Sequence, residues 1–162
     1  MIRLSPRLQF LLDQAWPGEA LWDLCCDHGL LGRRALQSGR FPEVHFVDQV
    51  PHIMARLRER LTREAPGAPA FLHAVPAGDL EPVLTGTVII AGVGGEKILE
   101  ILRRLHERRR LQARRLVLSP HKDEEFLAES LACDFASQWR LSPPRHVHEG
   151  PRVRPVWVAE AL

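Results

Sequence analysis

The sequence predicts an α/β fold: a mostly parallel, seven-stranded sheet with helices on both faces and an antiparallel hairpin at its C-terminal end. Short apolar runs flanked by turn residues alternate with amphipathic helical segments from residue 20 to residue 133, and that alternation favours parallel strands joined by crossover helices. Polar and small residues gather immediately after the apolar runs, at the edge where open parallel sheets bind ligands. The 162 residues, 45% of them hydrophobic and 26% charged, suit a single folded domain over 1–162 with an ordinary core.

Ser5 followed by Pro6 reads as a cap and first helical position, and Leu8, Leu11, Leu12 and Ala15 repeat at helical spacing. Pro17-Gly18 ends that helix. The run ALWDLC at Ala20–Cys25 reads as a buried strand, followed by a helix over Gly29–Ser38. The unit recurs with a strand at Glu43–Asp48, a helix at Pro51–Arg63 and an extended run at Ala70–Val75. Strands at Thr87–Ala91 and Arg115–Ser119 follow, each with a helix after it, at Gly95–Arg110 and Asp123–Cys133. The rhythm then breaks. Phe135–Leu141 and Arg152–Glu160 are extended, and a loop with Pro143, Pro144 and Gly150 joins them, so the two form the hairpin.

A formal charge of +2, from 22 basic and 20 acidic side chains, excludes a nucleic-acid coat protein, so any RNA contact is local. No apolar run long enough to span a membrane and no signal-peptide core are present, and three cysteines without a Cys-x-x-Cys pair read as thiols of a reducing, cytoplasmic compartment. No metal site is expected. His146 and His148 alternate in a polar loop without further ligands at diagnostic spacing. The four tryptophans read as packing residues.

Asp48 closes the second strand, 19 positions after Gly29, where a carboxylate accepts hydrogen bonds from the ribose hydroxyls of an adenine nucleoside. A helix cap is the other reading of an acidic residue there. The loop after the first strand, DLCCDHG, lacks the GxGxxG that cradles a pyrophosphate. That argues against an NAD-linked oxidoreductase and for a cofactor with ribose but no phosphate, of which S-adenosylmethionine is the commonest.

LSPRL at 4–8, DLCCDHGLLG at 23–32, VIIAGVGGEKILEIL at 88–102 and LVLSPHKDEEFLAESL at 116–131 resemble the runs LSxRL, DIGSDHAYLP, xxCGMGGxLIxxIL and LVLQPNxxxxxLRxxL of the bacterial tRNA adenine-N1 methyltransferase family TrmK. The resemblance is collinear over nearly the whole chain. It implies a Rossmann-like class I methyltransferase that uses S-adenosylmethionine to methylate N1 of an adenosine in tRNA. It further implies that Asp23, Cys25 and Gly29 lie against the methionine portion of the cofactor, that Asp48 and Gln49 meet the ribose, and that Val75 and Gly92 complete the cofactor site. Asp27, His28 and His121 become the catalytic group facing the transferred methyl. Gly94, Gly95, Ser119 and Pro120 become the contacts to the target base.

Three positions depart from the family pattern. Cys25 replaces a glycine, Val75 stands where an acidic residue belongs unless Asp79 reaches in, and His121 replaces an asparagine. They sustain an alternative, a weakened member of the fold that binds nucleotide or RNA without turnover. The helical C-terminal extension usual in the family has no counterpart before Leu162, which leaves room for a second copy or a helper protein.

Asp27 also invites the plainer reading of a cap for the helix that follows, and the glycines that of a tight turn. The arginine run from Arg103 to Arg115 reads as a solvated face at the far edge of the sheet, since a helix after a parallel strand runs away from the ligand edge. Arg33, Arg34, Lys122, Arg145, Arg152 and Arg154 are the better RNA candidates.

Overall fold

The computed structural model describes residues 1–162. Its five parallel strands are β1 (Leu21–Leu24), β2 (Val44–Val47), β3 (Ala70–His73), β4 (Thr87–Ala91) and β5 (Arg115–Ser119), followed by β6 (Trp139–Leu141), β7 (Arg145–Glu149) and β8 (Arg152–Ala161). The strand order is β3-β2-β1-β4-β5-β8-β6, with β8 antiparallel to β5 and to β6 and with β7 paired to β8. Order reverses between β1 and β4, and a crevice opens outside the carboxyl ends of strands at such a switch point.

The helices are α1 (Pro6–Asp13), α2 (Leu30–Ser38), α3 (Pro51–Glu64), α4 (Gly95–Glu107) and α5 (Glu124–Asp134). Ser5 starts α1 by accepting the Leu8 N–H at 3.2 Å, with Pro6 in the first turn. Strand side chains alternate between two cores. Trp22, Leu24, Ile90 and Leu118 pack with Ile98 and Leu102 of α4 and Leu127 of α5. Leu21, Phe46, Ile89 and Val117 pack on the other face with Leu11, Leu31 and Leu57 of α1, α2 and α3. No helix is long and apolar enough to cross a membrane.

The β3–β4 crossover carries only a 3-10 turn at Ala77–Asp79, so no long helix follows β3. Over β1–β3, Trp22, His45 and Phe71 stack instead, with 3.6 Å between the Trp22 and His45 ring centroids. His73 joins them, and burial lowers both imidazoles from their ordinary value.

The expected seven strands are eight, because the stretch read as a loop between the last two contains β7. Only Val147 is apolar in RHVHE, which is too little alternation to declare a strand from sequence. What sets β7 is the turn. Glu149 pairs with Arg152 across the two residues Gly150 and Pro151, and Gly150 takes a φ of 58° that suits a tight hairpin. The antiparallel partner expected for Phe135–Leu141 is present, shortened to β6, because Phe135 packs into the core below α5.

Candidate active site

Two adjoining cavities lie above the switch point, with Cys25 lining both. The larger, about 310 Å³, is bounded by Asp48, Gln49, Gly78 and Asp79 and by the Lys97 and Ile101 face of α4. The smaller, about 180 Å³, is bounded by Arg7, Asp23, Asp27, His28 and Gly92.

The end of β2 shapes the loop that divides them. Asp48 Oδ2 accepts the Asp27 N–H at 3.0 Å and Oδ1 accepts the Val50 N–H at 3.0 Å. Cys26 N–H donates to the Val47 carbonyl at 2.9 Å. These bonds hold Cys25 at φ 60° and Asp27 at φ 51°, left-handed backbone that costs a non-glycine residue about 1 kcal/mol or more. Each Asp48 oxygen keeps a further lone pair for a hydroxyl donor in the larger cavity.

Asp23 is buried on β1, where desolvation raises its carboxyl to about pH 7 against the opposing hydrogen bond from Gly32. Arg7 is also buried. Its Nε donates to Ser119 Oγ and its Nη2 to the Ser119 carbonyl, both at 3.1 Å, whereas Nη1 sits 3.8 Å from Glu149 and makes no hydrogen bond. The smaller cavity therefore has a cation with an unused donor on its wall and a carboxyl group that sheds its proton reluctantly. Burial pushes the Cys25 thiol up to about 11 and raises Cys26 further, so both stay protonated packing groups rather than nucleophiles.

Of the residues expected at the cofactor, Asp23, Cys25, Asp48, Gln49 and Gly92 line the two cavities. Gly29 takes a φ of 73° as the N-cap of α2, with the Leu57 side chain against its Cα. Val75 turns the other way and packs against the core, and the 3-10 turn brings Asp79 to the cavity, held by Arg104 Nε at 2.5 Å. Asp27 and His28 stand together at the mouth of the smaller cavity, 3.6 Å apart with side chains 67% and 70% exposed. Asp27 caps nothing: Gly29 is the N-cap of α2 and no side chain caps that helix. His121 is exposed on the loop after β5, where its N–H donates to the Val93 carbonyl.

Three of the expected base contacts, Gly95, Ser119 and Pro120, are engaged within the fold. Ser119 is fully buried, accepts from Arg7 and donates to the Pro155 carbonyl at 3.1 Å, and Pro120 is buried beside it. Gly95 N–H donates to the Lys122 carbonyl at 2.9 Å, and a Cβ at Gly95 would stand 2.3 Å from the Asp123 carbonyl oxygen. At Gly94 the neighbour is the Lys122 side chain, 3.0 Å away. We expect Gly95→Ala to destabilise the fold by about 1–3 kcal/mol, read from chemical denaturation. Unchanged stability would show that the loop can retreat.

Arg7, Lys97 and Arg104 line the cavities without having been singled out from the sequence, and Asp79 is the acidic residue that reaches in where Val75 does not. Most of the arginine run is paired within the chain: Arg103 with Asp134, Arg108 and Arg110 with the one carboxylate of Glu81, Arg114 with Glu19 and Arg115 with Glu160. It lies away from the ligand edge except for Arg104, which lines the larger cavity. Arg33 leaves the group of RNA candidates, being buried and paired with Glu64 at 2.8 Å.

Cys25 lines both cavities and bears left-handed strain. Cys25→Gly is expected to stabilise the protein by about 1 kcal/mol and to tighten S-adenosylmethionine binding in calorimetry. Weaker binding would mean that the thiol is a contact and not an obstruction.

A parallel sheet reversing between β1 and β4, an antiparallel strand beside β5, and an acidic residue closing β2 against the β1 loop define a Rossmann-like methyltransferase fold. The family profile described as a methyltransferase domain matches residues 4–153, and the chain belongs to that family. No protein of curated function matches it by sequence.

Solved structures of methyltransferases share this fold. The M1A22 tRNA methyltransferase TrmK of B. subtilis superposes with a TM-score of 0.86 at 19% identity, over 99% of this chain and 68% of that one. TrmK of M. capricolum, in complex with S-adenosyl-homocysteine, gives 0.81 at 15% identity over 97% and 68%. Magnesium protoporphyrin IX methyltransferase of Synechocystis, with bound SAM, gives 0.72 at 19% identity over 95% and 76%.

Proposed function

We propose that this protein transfers a methyl group from S-adenosylmethionine to N1 of an adenosine in tRNA. The observation that carries the cofactor is the pairing of buried Arg7 and buried Asp23 on the wall of one small cavity. An amino acid carries one carboxylate and one ammonium, and a cavity offering one buried cation and one buried carboxyl group is complementary to both. The larger cavity, with Asp48 at its edge, suits the ribose and adenine, and Asp79 is available to the adenine edge.

When bound there, S-adenosylmethionine supplies an electrophilic methyl on a sulfonium. The chain's own work is alignment and charge management. Asp48 fixes the sugar and the β1 loop at once, because the carboxylate that accepts from ribose hydroxyls also accepts from Asp27 N–H. Asp27 faces the mouth of the smaller cavity and is free to accept from the exocyclic amino group of the target adenine. Its negative charge favours the ring cation that develops as N1 is alkylated. His28 sits beside Asp27, and His121 borders the loop from the other side of Gly92 to Gly95.

The acceptor rests on the quoted runs shared with the TrmK family and on the two TrmK structures among the neighbours. The Synechocystis enzyme, with its porphyrin substrate, marks how far the same fold serves other acceptors. Incubation with tRNA and labelled cofactor, followed by mass spectrometry of the nucleosides, is expected to yield 1-methyladenosine. Cofactor binding by calorimetry with no methylated adenosine in any tRNA would overturn the acceptor. No cofactor binding would overturn the enzyme.

A further inference from the structure

The β7–β8 hairpin carries a charge pattern that the fold itself does not need. Residues opposite one another on antiparallel strands share a face, and so do residues two apart. Arg145, Arg154 and Arg152 thus fall on one face, Arg154 being opposite Val147, two residues from Arg145, and Arg152 being opposite Glu149. Their backbone positions follow one another along the hairpin at steps of about 7 Å.

No carboxylate lies within 4.0 Å of any of the three. The arginines of the run from Arg103 to Arg115 are, by contrast, mostly paired. The two acidic residues of the hairpin are already engaged, Glu149 by Ser5 with Arg7 nearby, and Glu160 by Arg115 and Arg140. The positive charge of the hairpin also reaches Arg7, which burial lowers from its ordinary value and Arg154 lowers further, against the opposing pull of Glu149.

The row is nonetheless held in place. The Arg145 guanidinium lies 5.5 Å above the Phe10 ring, Arg154 donates to the His121 carbonyl at 2.9 Å, and Arg152 is exposed beside them. These contacts tie the hairpin to the loop after β5 and to α1, whose Arg7 and Leu8 line the cavity where Asp27 and His28 stand.

We propose that the β7–β8 hairpin is an RNA-backbone clamp, in which Arg145, Arg152 and Arg154 take phosphates next to the target nucleotide and hold it over the transfer cavity. This rests on the reading of the protein as a tRNA methyltransferase and names the surface by which it grips its substrate. Arginine suits the role because its planar fork meets phosphate oxygens in pairs. The clamp restores the charge balance that the hairpin lacks by itself. It also gives a chain of net charge +2 a local site for a polyanion, three arginines on one face of a hairpin with no carboxylate beside them.

The test is tRNA binding by the full chain across a salt series. Each lost phosphate contact lowers the steepness of log Kd against log salt by about 0.7–0.9. R145Q/R152Q is expected to lower it by about 1.5 and to weaken tRNA binding about tenfold at moderate salt, with calorimetric affinity for S-adenosylmethionine unchanged. R145K/R152K keeps the charge and should keep the slope. Arg114→Gln, beside Glu19 at the opposite edge of the sheet, should leave slope and affinity as they are.

A wild-type slope in R145Q/R152Q, in a protein that methylates tRNA, overturns the clamp and leaves the enzymatic reading standing. Equal loss of cofactor affinity also overturns it, by showing that the substitutions disturb the site as a whole. Wild-type protein that neither binds nor methylates tRNA overturns both.

Discussion

Asp23→Asn is expected to make the protein more stable and nearly useless as a cofactor binder. The Asp23 carboxyl titrates at about 7 in the folded chain against 3.8 ordinarily, because burial disfavours its charge. Between those values the folded chain holds a proton that the unfolded chain has released. Stability of the cofactor-free protein therefore falls as pH rises from about 4 to about 7 and levels off above, a loss of roughly 4 kcal/mol at most. An amide of the same shape can still accept from Gly32 and carries no charge to desolvate. At pH 8 the variant should melt several degrees higher, at about 2–4 °C for each kcal/mol recovered, and the fall in stability between pH 4 and 7 that Asp23 contributes should disappear. The amide also cannot neutralise an ammonium, and loss of a charged hydrogen bond of about 1.5–3 kcal/mol weakens cofactor binding at least tenfold. Wild-type affinity falls in turn as pH drops below about 7, where Asp23 must release its proton to bind a cation. A variant that is less stable at pH 8, or that binds cofactor normally, would mean that Asp23 is a packing residue and the smaller cavity is not a zwitterion site.

That prediction depends on features of unequal visibility in the sequence. Strands β1, β2, β4 and β5 are legible because each is a short apolar run between breakers, and a strand buried on both faces needs nothing else. Asp48 is legible because an acidic residue ending such a run, just before a proline-started helix, can only stand at the ligand edge. Arg7 is not. Within LSPRL it reads as an ordinary first-turn residue of a capped helix, and its bonds go to Ser119, 112 positions away. Ser119 is misread for the same reason: its place after β5 suggests a substrate contact, whereas its hydroxyl is held between Arg7 and the Pro155 carbonyl on a strand 36 residues later. Asp79 and not Val75 lines the cavity because a 3-10 turn, which has no strong periodicity, sets the direction of the chain after β3. β7 escapes notice because its partner and its Gly-Pro turn create it, not its own composition. Local chemistry thus locates the cleft, and long-range hydrogen bonds decide which side chains reach into it.

Asp27 is where these two kinds of information meet. Its backbone N–H is fixed by Asp48 from the neighbouring strand, while its side chain is 67% exposed and pairs only with His28. The backbone anchor does not depend on the side chain, so Asp27→Asn should leave stability within about 0.5 kcal/mol of wild type and leave cofactor affinity unchanged. The amide keeps an acceptor for the amino group of the target base and loses the negative charge that opposes the cation developing at N1. Removal of one such preorganised electrostatic partner typically lowers kcat by about 100-fold or more. Single-turnover methylation of tRNA with saturating cofactor is the measurement, because it isolates the chemical step from tRNA release. Asp27→Ala should fall further, having lost the acceptor as well. If Asp27→Asn instead turns over within a factor of three of wild type, charge at this position does nothing for the reaction, and His28 or His121 must carry the positioning of the base. If it loses cofactor affinity in step with rate, Asp27 belongs to the cofactor site and the methyl acceptor lies on the other wall of the cavity.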